Sequence, residues 1–186
     1  IEGMRFVQDA METVSQVETR IRRFMNGELT KLEETDINKT IKLSMELIGA
    51  EVRQYQVHLK LNLQPDLPQG LADTVELEQV LINLIKNACE AMTDVDPEDR
   101  NIDIRSELVD DSRIKVTVSD CGSGVPEEMR ETIFEAFKTT KSGGTGMGLS
   151  ICRNIMEGFG GSIEYFPKEP TGSSFVLSIP QAVEQA

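Results

Sequence analysis

The sequence predicts an α/β domain, a two-layer sandwich in which a mixed five-stranded sheet carries about three helices on one face, preceded by a long N-terminal helix. Two observations predict this class. Short stretches alternate apolar and polar residues, which is the pattern of strands that bury one face. Longer segments between them repeat apolar residues every three or four positions, as helices packed on a sheet do.

The first segment predicts one helix over residues 4–26. Its apolar residues follow alternating steps of three and four, and Ala10, Val17 and Phe24 add a second row. A helix with so wide an apolar face needs a helical partner. An ordinary domain helix and one half of a dimerising hairpin both explain this face, and the hairpin half explains it better. Residues 27–35 are polar and contain a glycine, which favours a linker.

The later elements follow from capping residues and periodicity. Asp36 predicts the N-cap of a helix over residues 37–54. Further helices are expected over residues 74–92, from Pro126 to near Phe137, and over residues 148–159. Alternating patterns predict strands over residues 57–63, 102–104, 114–118, 162–166 and 173–179.

The charge balance limits the classes of partner. Lys and Arg number 19 and Asp and Glu number 32, which gives a formal net charge of −13. Such an acidic chain is not expected to bind nucleic acid or an anionic membrane surface, because both are polyanions. ATP is compatible with this charge because it needs only a local site and a metal. The cysteines, Cys89, Cys121 and Cys152, form no CxxC pair and predict reduced, mostly buried thiols.

Two asparagines form the first candidate site. Asn83 and Asn87 are four residues apart and therefore lie one turn apart on the same face of the predicted helix. An amide oxygen at the edge of the core can ligate a hard cation such as Mg²⁺ without adding charge. Two solvent-exposed amides are the simpler alternative.

A carboxylate followed by alternating glycines forms the second candidate site. Asp120 ends a buried strand, and Gly122 and Gly124 follow it. The glycines permit close approach of a ligand, and the carboxylate can accept a hydrogen bond from an exocyclic amine such as that of adenine. An ordinary tight turn has the same composition.

A glycine-rich segment that opens directly into a helix forms the third candidate site. Residues 143–150 contain four glycines and precede an amphipathic pattern. Backbone N–H groups at a helix start carry partial positive charge and bind phosphate. The segment does not follow a strand, so it fits neither the dinucleotide fingerprint nor the Walker A loop.

In their order along the chain, these segments resemble the histidine kinase branch of the GHKL ATPase superfamily. The resemblance covers residues 36–180. Its motifs are similar to the N box, the first glycine box, the F box with the start of the ATP lid, the second glycine box and the closing strand, at residues 83–88, 120–124, 133–141, 144–148 and 172–175.

The resemblance implies a Bergerat-type sandwich that binds ATP and Mg²⁺. Asn87 would ligate the metal through its side-chain oxygen, Asp120 would recognise the adenine amine, and the glycines would shape the lid hinge and the phosphate contacts. The implied ATP-binding residues are Asn83, Asn87, Asp120, Gly122, Gly124, Thr140, Lys141, Gly144, Thr145, Gly146, Met147, Gly148, Leu149 and Ser173. No catalytic residue is assigned, since the phosphoacceptor histidine is absent and His58 lies on a strand without a neighbouring acid.

The same resemblance implies a domain organisation and partners. Residues 1–29 would be the second helix of a truncated dimerisation and phosphotransfer hairpin, residues 30–36 a linker, and residues 37–186 the catalytic ATP-binding domain. The implied activity is that of a protein-histidine kinase in a two-component system. Its partners would be a phosphoacceptor histidine hairpin of the same or a sister chain, a response regulator receiver domain, and a second copy through the N-terminal helix. The fragment would be a cytoplasmic domain of a parent protein that a membrane can anchor.

Three residues depart from the family pattern. Ala136 stands where the F box often has Pro, and Glu90 stands where some kinases have a basic residue. Asn83 stands where the hydrolytic relatives carry the glutamate that activates water, which favours phosphotransfer over hydrolysis. The alternatives are a GHKL ATPase, an anti-sigma-type serine kinase, and a non-catalytic nucleotide-sensing dimerisation module.

Overall fold

The computed structural model describes residues 31–110, 112–139, 141 and 144–182. The helix expected over residues 4–26 lies outside these ranges. The described part of the chain contains three α-helices, namely α1 (Ile37–Gln54), α2 (Thr74–Ala91) and α3 (Gly148–Gly158). It contains the seven strands β1 (Glu33–Thr35), β2 (His58–Leu63), β3 (Gly70–Ala72), β4 (Asn101–Asp110), β5 (Arg113–Ser119), β6 (Ser162–Pro167) and β7 (Ser173–Pro180).

Five of the strands form the main sheet, in the order β2-β4-β5-β7-β6. β2 runs parallel to β4, and the remaining neighbours are antiparallel. Register places Val118 opposite both Ile104 and Phe175, so alternate residues of each strand share one face. That face is buried beneath the helices, and the expected mixed five-stranded sheet with three helices is confirmed.

The second helix, α2, is the centre of the helical layer and packs against both α1 and α3. Asp73 caps it, because Asp73 Oδ1 accepts the N–H groups of Val75 and Glu76 at 3.0 and 3.1 Å. One side of α2 is fully buried, by Leu77, Val80, Leu81, Leu84, Ile85, Ala88 and Cys89. This anchoring gives α2 a fixed position from which its remaining side chains can form a site.

A second, two-stranded sheet joins β1 to β3. Glu33 pairs with Ala72 and Thr35 with Gly70, and Thr35 Oγ1 donates to the Ala72 carbonyl oxygen at 3.0 Å. Part of the segment interpreted as a linker over residues 30–36 is therefore a strand. The domain boundaries themselves stay a prediction.

The helix expected from Pro126 to near Phe137 is wrong. The chain forms only a short 3₁₀ turn, Glu127–Met129, followed by turns. Phe137 has a φ of 66°, outside the helical region, and its N–H donates to the Gly146 carbonyl oxygen at 2.9 Å. Tertiary contacts explain the difference, since Phe134 packs edge-on against Phe175 with ring centroids 6.4 Å apart and lies under the Arg153 guanidinium.

The other face of the sheet is polar. Asp103 pairs with Arg105 at 2.8 Å, and Lys115 pairs with Glu107 at 3.0 Å. Within the described ranges, none of the helices combines the length and apolar character needed to cross a membrane.

Candidate functional site

Asp120 is a buried carboxylate at the carboxyl end of β5. It is 2% exposed, and its Oδ1 accepts the backbone N–H groups of Gly122 at 2.8 Å and Ser173 at 3.2 Å. The Asp120 N–H donates in turn to the Ser173 carbonyl oxygen at 2.9 Å. Two backbone donors fix Oδ1, which leaves Oδ2 as the oxygen for an exocyclic amine. Asp120 and Ser173, both predicted from sequence as site residues, are thus in direct contact.

Burial raises the pKa of the Asp120 carboxyl above its ordinary value, and this desolvation outweighs the hydrogen bonds from Gly122 and Ser173 and the positive charges of Lys168 and Lys141, which lower it. Burial therefore favours the protonated carboxyl of Asp120, and its hydrogen bonds and neighbouring positive charges favour the ionised carboxylate. The ionised form is the one that can only accept hydrogen bonds, as recognition of an amine requires.

The raised pKa predicts opposite pH effects on stability and on ligand binding. Folded Asp120 holds its proton at pH values where the unfolded carboxyl has lost it, so this contribution to stability disappears as pH rises from the ordinary carboxyl pKa through the folded one. Affinity for an adenine nucleotide instead falls as pH drops through the folded pKa. Nucleotide affinity is measured against pH for the native chain and for Asp120→Asn. Only the native chain should lose affinity through protonation of residue 120. Identical profiles would contradict it.

Asn83 and Asn87 form a connected pair on α2. Asn83 Nδ2 donates to Cys152 Sγ at 3.4 Å, and Asn87 Nδ2 donates to Asn83 Oδ1 at 3.4 Å. Both amide nitrogens are used as donors within this pair, and Asn87 Oδ1 remains as an acceptor for a further group. Burial raises the pKa of the Cys152 thiol to about 12, so Cys152 stays protonated and acts here as a packing residue.

The positively charged ammonium of Lys141 contacts Asn87 Oδ1. Lys141 Nζ donates to this oxygen at 2.9 Å and also donates to Glu90 Oε2. An amide oxygen that accepts an ammonium is oriented to hold a cation, and amide oxygens are among the ligands of hard divalent metals. The residues at this position therefore fit the expected Mg²⁺ ligand.

The glycine-rich segment brings the start of α3 against the asparagine pair. A Cβ at Gly148 would lie 2.7 Å from Asn83 Oδ1, so a larger residue there would have to displace the Asn83 amide. The first backbone N–H groups of α3 therefore lie beside Asn83, and no side chain caps them. Such an uncapped helix start can bind phosphate oxygens.

The predicted site residues divide into two clusters. One is Asp120 with Gly122 and Ser173, and the other is Asn83 and Asn87 with Lys141 and Gly148. The segment before α3 and its first turn contain Gly144, Thr145, Gly146, Met147 and Leu149, and Gly124 lies in the loop after β5. Thr140 lies outside the described residues.

Two contacts of the site were not predicted from sequence. Lys168 Nζ donates to the Asp120 backbone carbonyl oxygen at 3.1 Å, and Glu90 accepts from Lys141. Both contacts join residues about 50 positions apart, and no local pattern marks them. Only Glu90 carried a signal, because its position was expected to hold a basic residue in some kinases.

Comparison with known proteins agrees with this geometry. Residues 72–183, more than half of the chain, match the family described as "Histidine kinase-, DNA gyrase B-, and HSP90-like ATPase". The chain belongs to this family. Membership supports ATP as the ligand of the site and confirms the expected GHKL relationship.

The similar curated proteins include sensor proteins and sensor histidine kinases. The sensor protein FixL of Bradyrhizobium diazoefficiens is 36% identical over 170 residues, which cover 91% of this chain and 33% of FixL. The sensor protein TdiS of Thauera aromatica is 32% identical over 171 residues, covering 91% of this chain and 31% of TdiS. The chain thus spans about a third of the length of these relatives.

Solved structures place this ATPase-family chain with histidine kinase catalytic domains. The catalytic domain of histidine kinase ThkA superposes with a TM-score of 0.72 at 35% identity, covering 81% of this chain and 96% of that one. ThkA in complex with the response regulator TrrA gives a TM-score of 0.70 at 29% identity, covering 95% of this chain and 50% of that one. The expected resemblance to the histidine kinase branch and the expected sandwich fold are confirmed.

Proposed function

We propose that this chain is the ATP-binding catalytic part of a sensor histidine kinase, which transfers the γ-phosphoryl group of ATP to a histidine on a separate hairpin helix in two-component signal transduction. The observation that carries the proposal is the pairing of two clusters in one fold. A buried carboxylate, Asp120, follows the end of a strand, and the amide oxygen of Asn87, on helix α2, accepts a hydrogen bond from the Lys141 ammonium.

Each cluster has a distinct task in this proposal. Asp120 Oδ2 accepts the adenine amine, while Gly122 and Ser173 hold the carboxylate in place through Oδ1. Asn87 Oδ1 holds Mg²⁺, whose charge would neutralise the phosphates as phosphoryl transfer requires. The uncapped start of α3, beside Asn83, binds phosphate oxygens. The chain's contribution is positioning and electrostatics.

Asn83 supports phosphotransfer over hydrolysis. Its amide donates to Cys152 and accepts from Asn87, and an amide has no basic lone pair with which to take a proton from water. A histidine acceptor needs no such base, because a neutral imidazole is already a nucleophile. At this position the chain therefore lacks the general base that a hydrolytic ATPase would use to activate water.

The partners and domain boundaries belong to the same proposal. The phosphoacceptor is a histidine hairpin of the same or a sister chain, residues 1–29 contribute to a dimer, residues 30–36 connect, and residues 37–186 form the catalytic domain. The complex of ThkA with a response regulator supports a receiver domain as the downstream partner. The domain acts in the cytoplasm, in a parent protein that a membrane can anchor.

Phosphotransfer to an added hairpin tests the proposal. The chain is incubated with Mg²⁺ and ATP labelled in the γ-phosphoryl group, with and without a separately produced histidine-bearing hairpin. Label should enter the hairpin as acid-labile, base-stable phosphohistidine and should stay absent from the chain alone, because the chain lacks the acceptor. Label on serine, or steady phosphate release from ATP without the hairpin, would favour the serine kinase or the ATPase instead. Binding without any turnover would favour a nucleotide-sensing module.

A further inference from the structure

One ammonium group is shared between two acceptors on α2. Lys141 Nζ donates to the neutral amide oxygen of Asn87 at 2.9 Å and to the carboxylate of Glu90. Glu90 follows Asn87 by three residues, so both acceptors lie on one face of the helix. The lysine comes from a segment 51 residues away, so the contact is a tertiary one.

This ion pair differs from a nearby pair of the same composition. The side chains of Lys141 and Glu90 are 36% and 24% exposed, whereas Lys138 and Glu135 are 48% and 56% exposed and 4.0 Å apart. Exposed pairs of the second kind contribute little. The Lys141–Glu90 pair is more shielded and shares its ammonium with a third group, so it holds the ammonium at a defined place.

We propose that Glu90 holds the Lys141 ammonium against Asn87 Oδ1 as a built-in cation. The ammonium competes with the divalent metal for this oxygen, and the competition favours binding of a nucleoside triphosphate over a diphosphate. This inference rests on the proposed nucleotide site. A metal bound at about 2.1 Å from the amide oxygen would lie within a few ångströms of the ammonium. The two cations repel each other at that separation, so the metal must displace Lys141 from Asn87.

The preference for a triphosphate follows from where the displaced ammonium goes. Glu90 is a positioning residue, because it keeps the ammonium beside Asn87 after the amide contact is lost. A terminal γ-phosphate gives that ammonium a new anionic partner, and a diphosphate offers none at this place. The loss of the Asn87 contact is therefore offset only when the nucleotide carries three phosphates. Glu90, an acid at a position where a basic residue was expected in some kinases, acquires a role through Lys141.

A charge-neutral double variant tests this pair. Glu90→Gln combined with Lys141→Met removes one negative and one positive charge, so the net charge of the site is unchanged. The dissociation constants of Mg-ATP and Mg-ADP are measured by calorimetry on the full chain. We expect the ratio of ADP to ATP dissociation constants to fall about tenfold, because ATP loses the ammonium as a partner for its γ-phosphate while ADP no longer has to displace it. A tenfold change corresponds to about 1.4 kcal/mol. An equal shift in both constants, or no shift, would overturn the proposal.

The matched control is Glu107→Gln with Lys115→Met. It makes the same two chemical changes on the polar face of the sheet, on a pair whose side chains are 54% and 38% exposed. Both nucleotide affinities should stay at their original values in this control. A fall in preference equal to that of the first double variant would show that the effect is not specific to Asn87.

Metal binding without nucleotide gives a second readout. Mn²⁺ is titrated into labelled protein, and paramagnetic broadening of the Asn87 side-chain amide signal is followed by NMR. The Glu90→Gln/Lys141→Met variant should broaden at lower Mn²⁺ concentration than the original chain, because no ammonium competes. Equal concentrations would count against the competition. This readout needs no phosphotransfer, so it separates failure of the pair from failure of the proposed function.

Discussion

Replacing Asp120 by asparagine should weaken ATP binding by roughly a hundredfold or more while the chain stays folded. The asparagine Oδ1 can still accept from Gly122 and Ser173, so the strand ends remain joined. The second oxygen becomes an NH₂ group, which places a donor against the donor of adenine. Removing a buried charge with a raised pKa also relieves desolvation, so stability at neutral pH should not fall. Calorimetry of ATP binding and a thermal melt measure the two effects.

A matched control for this prediction is Asp103→Asn. Asp103 undergoes the same chemical change on the polar face of the sheet, where its partners are Arg105 and Asn62. ATP affinity should be unaffected there. If Asp120→Asn bound ATP as tightly as the original chain, the assignment of the adenine site to Asp120 would be lost.

Replacing Gly172 by alanine should lower the free energy of unfolding by about 3 kcal/mol or more. Gly172 has a φ of 122°, and a Cβ there would lie 2.3 Å from the Asp120 carbonyl oxygen. Backbone at this distance cannot give way as a flexible side chain can. The β6–β7 hairpin would have to move off the end of β5, and ATP binding should fall with it because Ser173 moves too. Chemical denaturation and ATP calorimetry measure both losses.

Gly160→Ala separates backbone strain from collision. Gly160 also has a positive φ, 70°, but a Cβ there would meet nothing closer than Pro180 Cγ at 3.9 Å. Only the conformational cost should remain, about 1 to 2 kcal/mol. Equal losses for the two variants would show that the contact with Asp120 adds nothing to the cost at Gly172.

Local signals were sufficient for most of the fold. Asp36 accepts the Lys39 N–H at 2.9 Å and starts α1 at Ile37 as its side chain predicted. In the described part of the chain, α2 buries one face of its periodic apolar residues, and β4, β5 and β7 bury alternate residues, as their patterns predicted. Strands β1 and β3 have only three residues each, too few to show a period.

The wrong helix after Pro126 shows where local signals mislead. A proline followed by Glu127 and Glu128 is a typical helix start, and the chain does form one 3₁₀ turn there. Ile133 and Phe134 are adjacent and both buried, so the segment packs by its turns instead of by one helical face. Contacts with Phe175 and Arg153, distant in sequence, decide its conformation.

The candidate site was predictable in its residue types but not in its connections. Motif order identified Asp120 and Asn87, because each lies within a segment with a recognisable composition. The sequence could not show that Lys141 would lie on Asn87 and Glu90, since these residues come from separate segments. It also gave no sign of Lys168 at the Asp120 carbonyl oxygen.

The bond from Ser173 to Asp120 has a consequence for unfolding. Its partners are 53 residues apart, and the carboxylate has its final surroundings only after β7 has docked on β5. A bound nucleotide therefore fastens the two halves of the sheet together. At a concentration 100 times its dissociation constant it should add about 2.7 kcal/mol of stability. Hydrogen exchange should slow together in β5 and β7 when the nucleotide is bound. The fraction of chains that bind nucleotide would then report the fraction in which β5 and β7 are paired.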